Sequence, residues 1–236
     1  MSKIVAIAKK ELKTYFKSPI AYIVLIITIS IFNIFFFLII DENREASLHD
    51  VFKVMEFLFI FIVPLLTMKI FAEEKSSGTM EFLMTTPTTN TAIVLGKYLG
   101  SLMFFTLIIG MTLSYYFIIE FFGQPGRLTI LSGYLGIWLE GALFIAIGML
   151  TSSWTKNQII AAISSYVFLF LLYFSISFIK YFSGTAESLI RYMGTWSHAE
   201  NFIVGLVNTS DLVYYLSGIF ICIILTRLSI ENRLWR

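Results

Sequence analysis

The chain has 236 residues, of which 58% are hydrophobic and only 14% are charged, and its mean hydropathy is +0.84. This composition excludes an ordinary soluble domain, in which about a quarter of the residues are charged. The formal net charge of +2 gives no indication of nucleic-acid binding, and a single cysteine, Cys222, excludes an intrachain disulfide. We therefore expect an all-α integral membrane protein, because backbone polar groups in lipid must be satisfied within each segment.

The N-terminal segment, residues 1–19, has the pattern of an amphipathic helix, with its apolar side chains on about one third of the circumference. We expect it to lie in the membrane interface and to end before Pro19. The alternative is that its lysines only set the topology. We expect no cleavable signal, because the following apolar run is too long and lacks an A-x-A-like site. The lysines on the polar side are Lys9, Lys10, Lys13 and Lys17.

Six apolar segments follow, and each is long enough to cross a hydrocarbon core of about 30 Å as a helix. We expect them to form one transmembrane domain that covers residues 1–236, with no repeat and no separate soluble domain. The predicted spans lie at about residues 20–40, 51–72, 98–119, 128–150, 159–179 and 212–228. Lys53, Glu56 and Lys69 lie near the ends of the second span, where long side chains are expected to reach the interface.

Lysine and arginine are distributed unequally over the two sides of this six-span arrangement. One side carries twelve of them and the other side five. Because the richer side is normally cytosolic, we expect both termini to lie in the cytosol. The connection between the second and third spans lies on the same side.

A polar segment, residues 73–90, separates the second span from the third. Gly78 follows two serines, which is a turn composition, and Ser77 or Thr79 is placed to cap a short helix over Met80–Met84. Asn90 is expected to cap the third membrane helix. The short helix is partly apolar, so we expect another protein or the bilayer to cover it.

The connection between the fifth and sixth spans, residues 181–211, is too long for a plain turn and is semi-apolar. Two stretches, Ser188–Met193 and Asn201–Val207, each read as a short helix that cannot span a membrane. We expect them to dip into the outer leaflet or to lie on it, covering what is below.

Two polar residues inside predicted spans are candidates for a translocation path, Glu140 in the fourth span and Asn33 in the first. A charge at the centre of a membrane helix costs about 2.5–3.5 kcal/mol on the most lenient scale. Glu140 therefore faces either a polar path or a packed interior, where it would be protonated or hydrogen-bonded. For Asn33, the simplest interpretation is a hydrogen bond between helices.

The string FAEEKSSGTMEFLMTTPTT, which starts at Phe71 and is followed by VLGKYLGSL, resembles the second intracellular loop of ABC-2 type transporter permeases. The similarity extends over the whole chain, from the KSP that ends the N-terminal helix to GMLTSSWTKNQIIAA and the terminal RLSIENRLWR. Within that family the chain looks most similar to the gliding-motility-associated permeases. It resembles more distantly the permease that serves copper-site maturation in nitrous oxide reductase.

This resemblance implies a permease subunit in a bacterial cytoplasmic (inner) membrane, paired with a second copy or a homologous permease and bound to two cytosolic ABC ATPase subunits. Accessory membrane or periplasmic proteins are further expected partners, together with the lipid bilayer. Export is the implied direction. The loop helix would seat in a cleft of the ATPase. The implied coupling residues are Glu73, Glu74, Gly78, Thr79, Met80, Glu81, Phe82, Leu83 and Pro87.

The chain has no G-x-x-x-x-G-K-[ST] motif with which to bind ATP itself. We therefore expect no cofactor or metal in this chain, and ATP with Mg²⁺ on the partner ATPase. His198-Ala-Glu200 has the spacing of a zinc deaminase motif, but one cysteine cannot supply the P-C-x-x-C partner. We expect no enzymatic activity of the chain alone, and both histidines, His49 and His198, are expected to be solvated loop residues.

Two other classes of protein remain open at this point. An ATP-independent carrier or integral membrane enzyme is one, although a carrier would favour paired intramembrane charges or an inverted repeat. An anchoring scaffold is the other, in which a dimer moves an attached partner mechanically. Proteins that co-purify from native membranes would distinguish these classes.

Overall fold

The computed structural model describes residues 3–43, 47–80 and 88–231. Within these ranges the chain is helical, with no strand, and it forms the all-α membrane protein that the composition predicts. Five helical stretches are long and apolar enough to cross a membrane, and a bent pair of helices makes a sixth candidate. The helices are α1 (Lys3–Lys17), α2 (Pro19–Asn43), α3 (His49–Thr67), α4 (Lys69–Ser76), α5 (Asn90–Thr112), α6 (Ser114–Phe122), α7 (Arg127–Ser152), α8 (Gln158–Tyr173), α9 (Ser175–Phe178), α10 (Thr185–Met193), α11 (Thr195–Val204) and α12 (Thr209–Glu231).

The centre of the bundle is α7. Its most apolar stretch is 83% buried, against 22% for α2 and 17% for α12. Helices α3, α5, α8, α11 and α12 all pack against α7, whose many small residues allow close approach. The helices α2 and α12 keep long apolar faces exposed, as lipid-facing helices do.

The α1 end of the bundle contains α1, α4 and the start of α5. Here α4 continues α3 after a slight break at Met68, and α5 continues into α6 after Leu113. Thr89 caps α5, with its side-chain oxygen accepting from the Ala92 N–H at 3.3 Å. The sequence interpretation placed this cap at Asn90, which is already the first residue of the helix.

The opposite end of the bundle, the α11 end, is built from the bent pair and the segment after it. Helix α8 bends by 58° into the stretch Ser175–Tyr181. Helix α11 begins beside this bend, where the rings of Tyr173 and Trp196 lie 5.5 Å apart. It then packs closely along α7. A Cβ added to Gly136 of α7 would lie only 2.4 Å from Phe202 Cβ of α11.

The two short helices of this segment differ from the sequence prediction in their extent. Helix α10 begins three residues earlier than predicted, and α11 covers Thr195–Val204 instead of Asn201–Val207. Gly205 ends α11 in a left-handed conformation with φ 100°, and the Leu206 N–H returns to the Asn201 carbonyl at 2.8 Å. A glycine in this conformation is a common helix stop, which the sequence interpretation had placed inside the helix.

Candidate functional site

The predicted coupling segment begins at the exposed end of α4. Glu73 and Thr79 are exposed, Glu74 is half-buried, and Met80 is buried. Gly78 has φ +71°, a conformation that favours glycine just after a helix. The remaining predicted coupling residues, Glu81, Phe82, Leu83 and Pro87, lie outside the described residues.

The hydroxyl groups of Ser77 and Thr79 stabilise the turn around Gly78. The Ser77 N–H donates to the Glu73 carbonyl at 3.0 Å, and Ser77 Oγ donates to the same carbonyl at 2.9 Å. Ser77 Oγ also lies 2.8 Å from Thr79 Oγ1. These bonds satisfy the last carbonyls of α4 and fix the direction in which the chain leaves it.

Helix α1 packs against the first half of α5 at very short range. A Cβ on Gly96 would lie 2.6 Å from Ile7 Cβ, and one on Gly100 would lie 2.6 Å from Glu11 Cβ. The contact buries Ala8 on α1. The predicted lysine face points away from this contact, so that Lys9, Lys10, Lys13 and Lys17 are all exposed.

Tyr15 anchors the far end of α1. Its hydroxyl donates to the Leu66 carbonyl of α3 at 3.0 Å and lies 3.1 Å from Ser101 Oγ of α5. Its ring stacks on Phe104 with 4.8 Å between the ring centres. Burial, followed by the negative charge of Glu11, raises the pKa of Tyr15, so the phenol stays neutral and able to donate.

A buried lysine, Lys97 of α5, joins three helices. Its Nζ lies 2.9 Å from Glu74 Oε1 of α4 and 3.3 Å from Glu11 Oε2 of α1. It also donates to the Ile70 carbonyl at 2.9 Å, and it lies 5.3 Å from the centre of the Phe71 ring. We call Lys97, Glu11 and Glu74 the Lys97 cluster. The side chain of Lys97 is only 3% exposed, so its charge depends on these partners.

Helix α7 fixes α4 from a second side. Ser152 Oγ accepts from the N–H groups of Phe71 and Ala72, each at 3.1 Å, and donates to the Met68 carbonyl at 3.0 Å. Lys75 Nζ donates to the Ser153 carbonyl at the end of α7. The first turn of α4 is thus capped by a neighbouring helix, and a cation lies at the negative end of the α7 dipole.

Between α1, α4 and α5 lies a cavity of about 260 Å³. Charged groups of both signs line it, among them Lys10, Lys69, Glu73 and Glu74, together with Thr79. Residues of the predicted coupling segment and residues of α1 therefore share one cavity. A partner that entered this cavity would touch both.

The structure also places the two predicted path residues. Glu140 is 0% exposed, enclosed by the helices that surround α7, so any path that touched it would run within one chain. Asn33 Oδ1 accepts from the Tyr115 hydroxyl at 2.7 Å, which links α2 to α6. A role of either residue in translocation stays a prediction.

Two residues were misjudged from the sequence. Glu56 was assigned to the membrane interface, but its side chain is 1% exposed because it lies on the face of α3 that packs against α7. His198 was expected to be solvated, but it is buried, with Nδ1 2.6 Å from Asp211 Oδ1 and its ring stacked on Tyr214 at 4.0 Å. The Lys97 cluster was not predicted at all. A signal for it exists, since Lys97 lies seven positions into an otherwise apolar helix.

Among the described residues, no group of three or more His, Cys, Asp or Glu side chains could hold a metal ion. At the α1 end, helices are joined around the buried Lys97 cation, beside the exposed turn at Gly78.

Comparison with known proteins agrees with the resemblance seen in the sequence. No curated protein matches the chain significantly. Residues 7–231 match the model of a family described as ABC-2 family transporter protein. Members of this family are the membrane components of ABC transporters, are not themselves catalytic, and associate with ABC ATPase subunits. The chain belongs to this family, as a multi-pass permease component of an ABC transporter.

Proposed function

We propose that this chain is a permease half on which two cytosolic ABC ATPase subunits act through residues 73–90. In this proposal the α1 end faces the cytosol of a bacterial inner membrane, with both termini on that side. A second copy, or a homologous permease, completes the membrane part. ATP and Mg²⁺ bind to the ATPase subunits.

The observation that carries the proposal is the Lys97 cluster. An ATPase that binds residues 73–90 pulls directly on α4, which continues α3. Because Lys97 ties Glu74 of α4 to Glu11 of α1 and belongs to α5 itself, the pull reaches all three helices together. A loosely attached loop would absorb the movement instead.

The surface around the turn also suits a partner. Glu73 is exposed beside the Gly78 turn, and Lys10 of α1 lines the same cavity. A partner surface of mixed charge would be complementary to this pattern. We propose that the helix predicted at Met80–Met84 seats in the ATPase, with Glu81, Phe82 and Leu83 as contacts and Pro87 as its exit.

The exposed lysine face of α1 supports the proposed orientation. Lys9, Lys13 and Lys17 lie on the side of α1 that turns away from α5, and Lys10 lies at the edge of that side, where it lines the cavity. Lysines at the end of a membrane helix favour the cytosolic side, where anionic headgroups attract them. We propose that α1 lies in that interface while its other face holds α5.

The finer features of the proposal rest on the resemblance. They are export rather than uptake, pairing into a homodimer, a relation to the gliding-motility-associated permeases, and transmission of force as an alternative to passage of a substrate. The exposed apolar faces of α2 and α12 provide surface both for lipid and for a second permease.

Co-purification tests the proposal. The tagged chain, extracted from its native membrane, is expected to bring down an ABC ATPase subunit that mass spectrometry identifies. Scrambling residues 79–87 should abolish this recovery, because the seated helix is lost. Glu73→Lys should weaken it by reversing an exposed charge beside the turn.

Glu187→Lys is the matched control, since Glu187 is a partly exposed acid on α10 at the other end of the bundle, where it pairs only with Arg191 of its own helix. It should leave the recovery of the ATPase unchanged. Recovery of an equal amount of ATPase with the scrambled segment would refute the proposed contact. Full transport activity without any nucleotide-hydrolysing partner would favour the ATP-independent carrier instead.

A further inference from the structure

At the α11 end, the carboxyl groups of Glu56 and Glu140 are buried without partners. Glu56 is 1% exposed and Glu140 is 0% exposed. None of their four carboxyl oxygens has a hydrogen-bond partner among the described residues. This is unusual, because a buried carboxylate normally pairs with a cation or accepts several hydrogen bonds.

Two hydroxyl groups in the same interior lack partners as well. Thr195, the first residue of α11, faces the Glu140 carboxyl, and Tyr215 of α12 lies near both carboxyls. Thr195 Oγ1 and the Tyr215 hydroxyl are fully buried. Thr195 lies close enough to act on the Glu140 carboxyl, but neither hydroxyl has hydrogen-bond geometry with a described residue. Four polar side chains from α3, α7, α11 and α12 thus converge on one site, which we call the Glu56–Glu140 site.

No described side chain supplies this site with a positive charge of its own. Lys53 is the cation that acts on Glu56, but its Nζ lies 3.5 Å from Glu200 Oε1 of α11. His49 shares the same carboxylate at 3.8 Å. The other acids and phenols that face the site are Glu200, Asp211, Tyr173 and Tyr214. The His198 ring centre lies 6.4 Å from that of Tyr215. Asp211 is engaged by His198 and Asn201.

Burial disfavours the charged form of each carboxyl, and two negative charges close together in such an interior also repel each other. We propose that the Glu56–Glu140 site binds two protons, one on each carboxyl, and that this neutral state allows α11 to stay seated against α7. Each protonated carboxyl can then donate, and the Thr195 and Tyr215 hydroxyls are the acceptors within the same interior.

A row of titratable side chains on α3 leads from the site to the surface. His49, Lys53 and Glu56 are spaced four and three residues apart on α3, so they lie on one face of the helix. The side chains of His49, Lys53 and Glu200 are each about one third exposed, as their relative areas of 34%, 31% and 33% show. Protons can therefore enter from the α11 end along this face. Loss of both protons would leave like charges on α3 and α7, whose repulsion would loosen the interior against which α11 packs.

Infrared spectroscopy tests the proposal directly. The purified protein, at pH 7.5 in a detergent without ester groups, should show the carbonyl band of protonated carboxylic acids. Glu56→Gln and Glu140→Gln should each remove part of the band, and the double variant should remove all of it. A spectrum with only ionised carboxylates in the wild type would overturn the proposal.

The pH dependence of stability provides a second test. Glutamates in an unfolded chain are ionised above about pH 5, so the native state would hold two more protons than the unfolded one between pH 6 and 8. The folding equilibrium constant should then fall with rising pH, by up to about a hundredfold per unit for two protons. The thermal unfolding midpoint should decrease accordingly.

The double variant, with Glu56→Gln and Glu140→Gln, should lose this slope and should exceed the wild type in stability at pH 8. His198→Gln, which removes the neighbouring His–Asp pair, should keep most of the slope. Three results would overturn the proposal: an unchanged slope in the double variant, its failure to fold, or stabilisation of the wild type by Ca²⁺ that both Gln variants abolish. The last would assign the site to a metal cation.

Discussion

The α1 end and the Glu56–Glu140 site differ in how their buried charged side chains are paired. At the α1 end, Lys97, Ser152 and Tyr15 each bond to at least two groups on neighbouring helices. At the α11 end, Glu56 and Glu140 find no partner among the described residues. The first arrangement resists movement between helices. The second is held by packing and is sensitive to charge, which suits a segment that moves.

The comparison predicts opposite signs for similar substitutions. Removing one charge at the α1 end leaves its partners buried and unpaired, so stability falls. Neutralising a carboxyl at the α11 end removes no bond, so stability is kept or rises. The first three experiments below each break one link of the α1 end, the fourth breaks an exposed ion pair at the other end, and they run from the largest expected effect to the smallest.

Lys97→Met should have the largest effect. It keeps the length of the side chain but leaves Glu11 and Glu74 without their cation, and breaking a buried ion pair costs about 3 kcal/mol or more. Thermal unfolding in detergent would measure the loss. Lys9→Met, which removes an exposed lysine of α1, is the control and should change stability by no more than about 0.5 kcal/mol. Equal losses of stability in the two variants would show that the Lys97 cluster does not stabilise the contacts between its three helices.

Gly100→Ala should have the next largest effect. The new Cβ would lie 2.6 Å from Glu11 Cβ and 2.9 Å from the Ala8 carbonyl oxygen, so α1 must move away from α5. Overpacking of this kind costs about 1–3 kcal/mol. Gly110→Ala on the same helix has open space around it and should be stabilising by up to about 1 kcal/mol. If both variants were equally stable, the close packing of α1 on α5 would be wrong.

Ser152→Ala should have a smaller effect. It removes the acceptor of the Phe71 and Ala72 N–H groups and the donor to the Met68 carbonyl. The loss of a cap typically costs about 1 kcal/mol, and an unsatisfied buried group up to about 3 kcal/mol. Ser164→Ala is the control, because Ser164 is partly exposed and its hydroxyl bonds only to carbonyls of its own helix. The difference in unfolding midpoint between the two variants measures how much the Ser152 cap contributes to stability.

Arg127→Gln should have the smallest effect. Arg127 pairs with Glu120 at 2.5 Å, but its side chain is 74% exposed. Exposed ion pairs contribute about 0–1 kcal/mol, so the change should be close to the error of the measurement. A loss as large as that of Lys97→Met would mean that burial does not decide the strength of these pairs.

The sequence predicts the fold class well because membrane helices are long apolar runs. The all-α membrane architecture is confirmed, and so is the permease family. The amphipathic pattern of residues 1–19 could not show that this helix also packs on α5. That contact depends on Gly96 lying beside Ile7 and Gly100 beside Glu11, which only the folded structure shows.

The polar contacts were harder to predict than the helices. Lys97 and Glu11 are 86 residues apart in the chain, and no local pattern indicates that they meet. Glu56 was misplaced because a charge within one turn or two of a span end is expected to reach the interface. The tertiary packing of α3 against α7 overrides that tendency. Helix ends set by backbone conformation, such as Gly205, were shifted for a similar reason.

The central claim, that α1 and α4 move as one lever driven by an ATPase, is tested most directly by spin-label distances. Labels at Lys13→Cys and Ser76→Cys, in a Cys222→Ser background diluted with unlabelled chains, report the distance between α1 and α4 in the reconstituted complex. The account predicts one narrow distribution that ATP binding leaves unchanged, while the distance from Lys13→Cys to Glu187→Cys on α10 shifts. If ATP binding changed the α1–α4 distance as much as the distance between the labels on α1 and α10, the account would be contradicted.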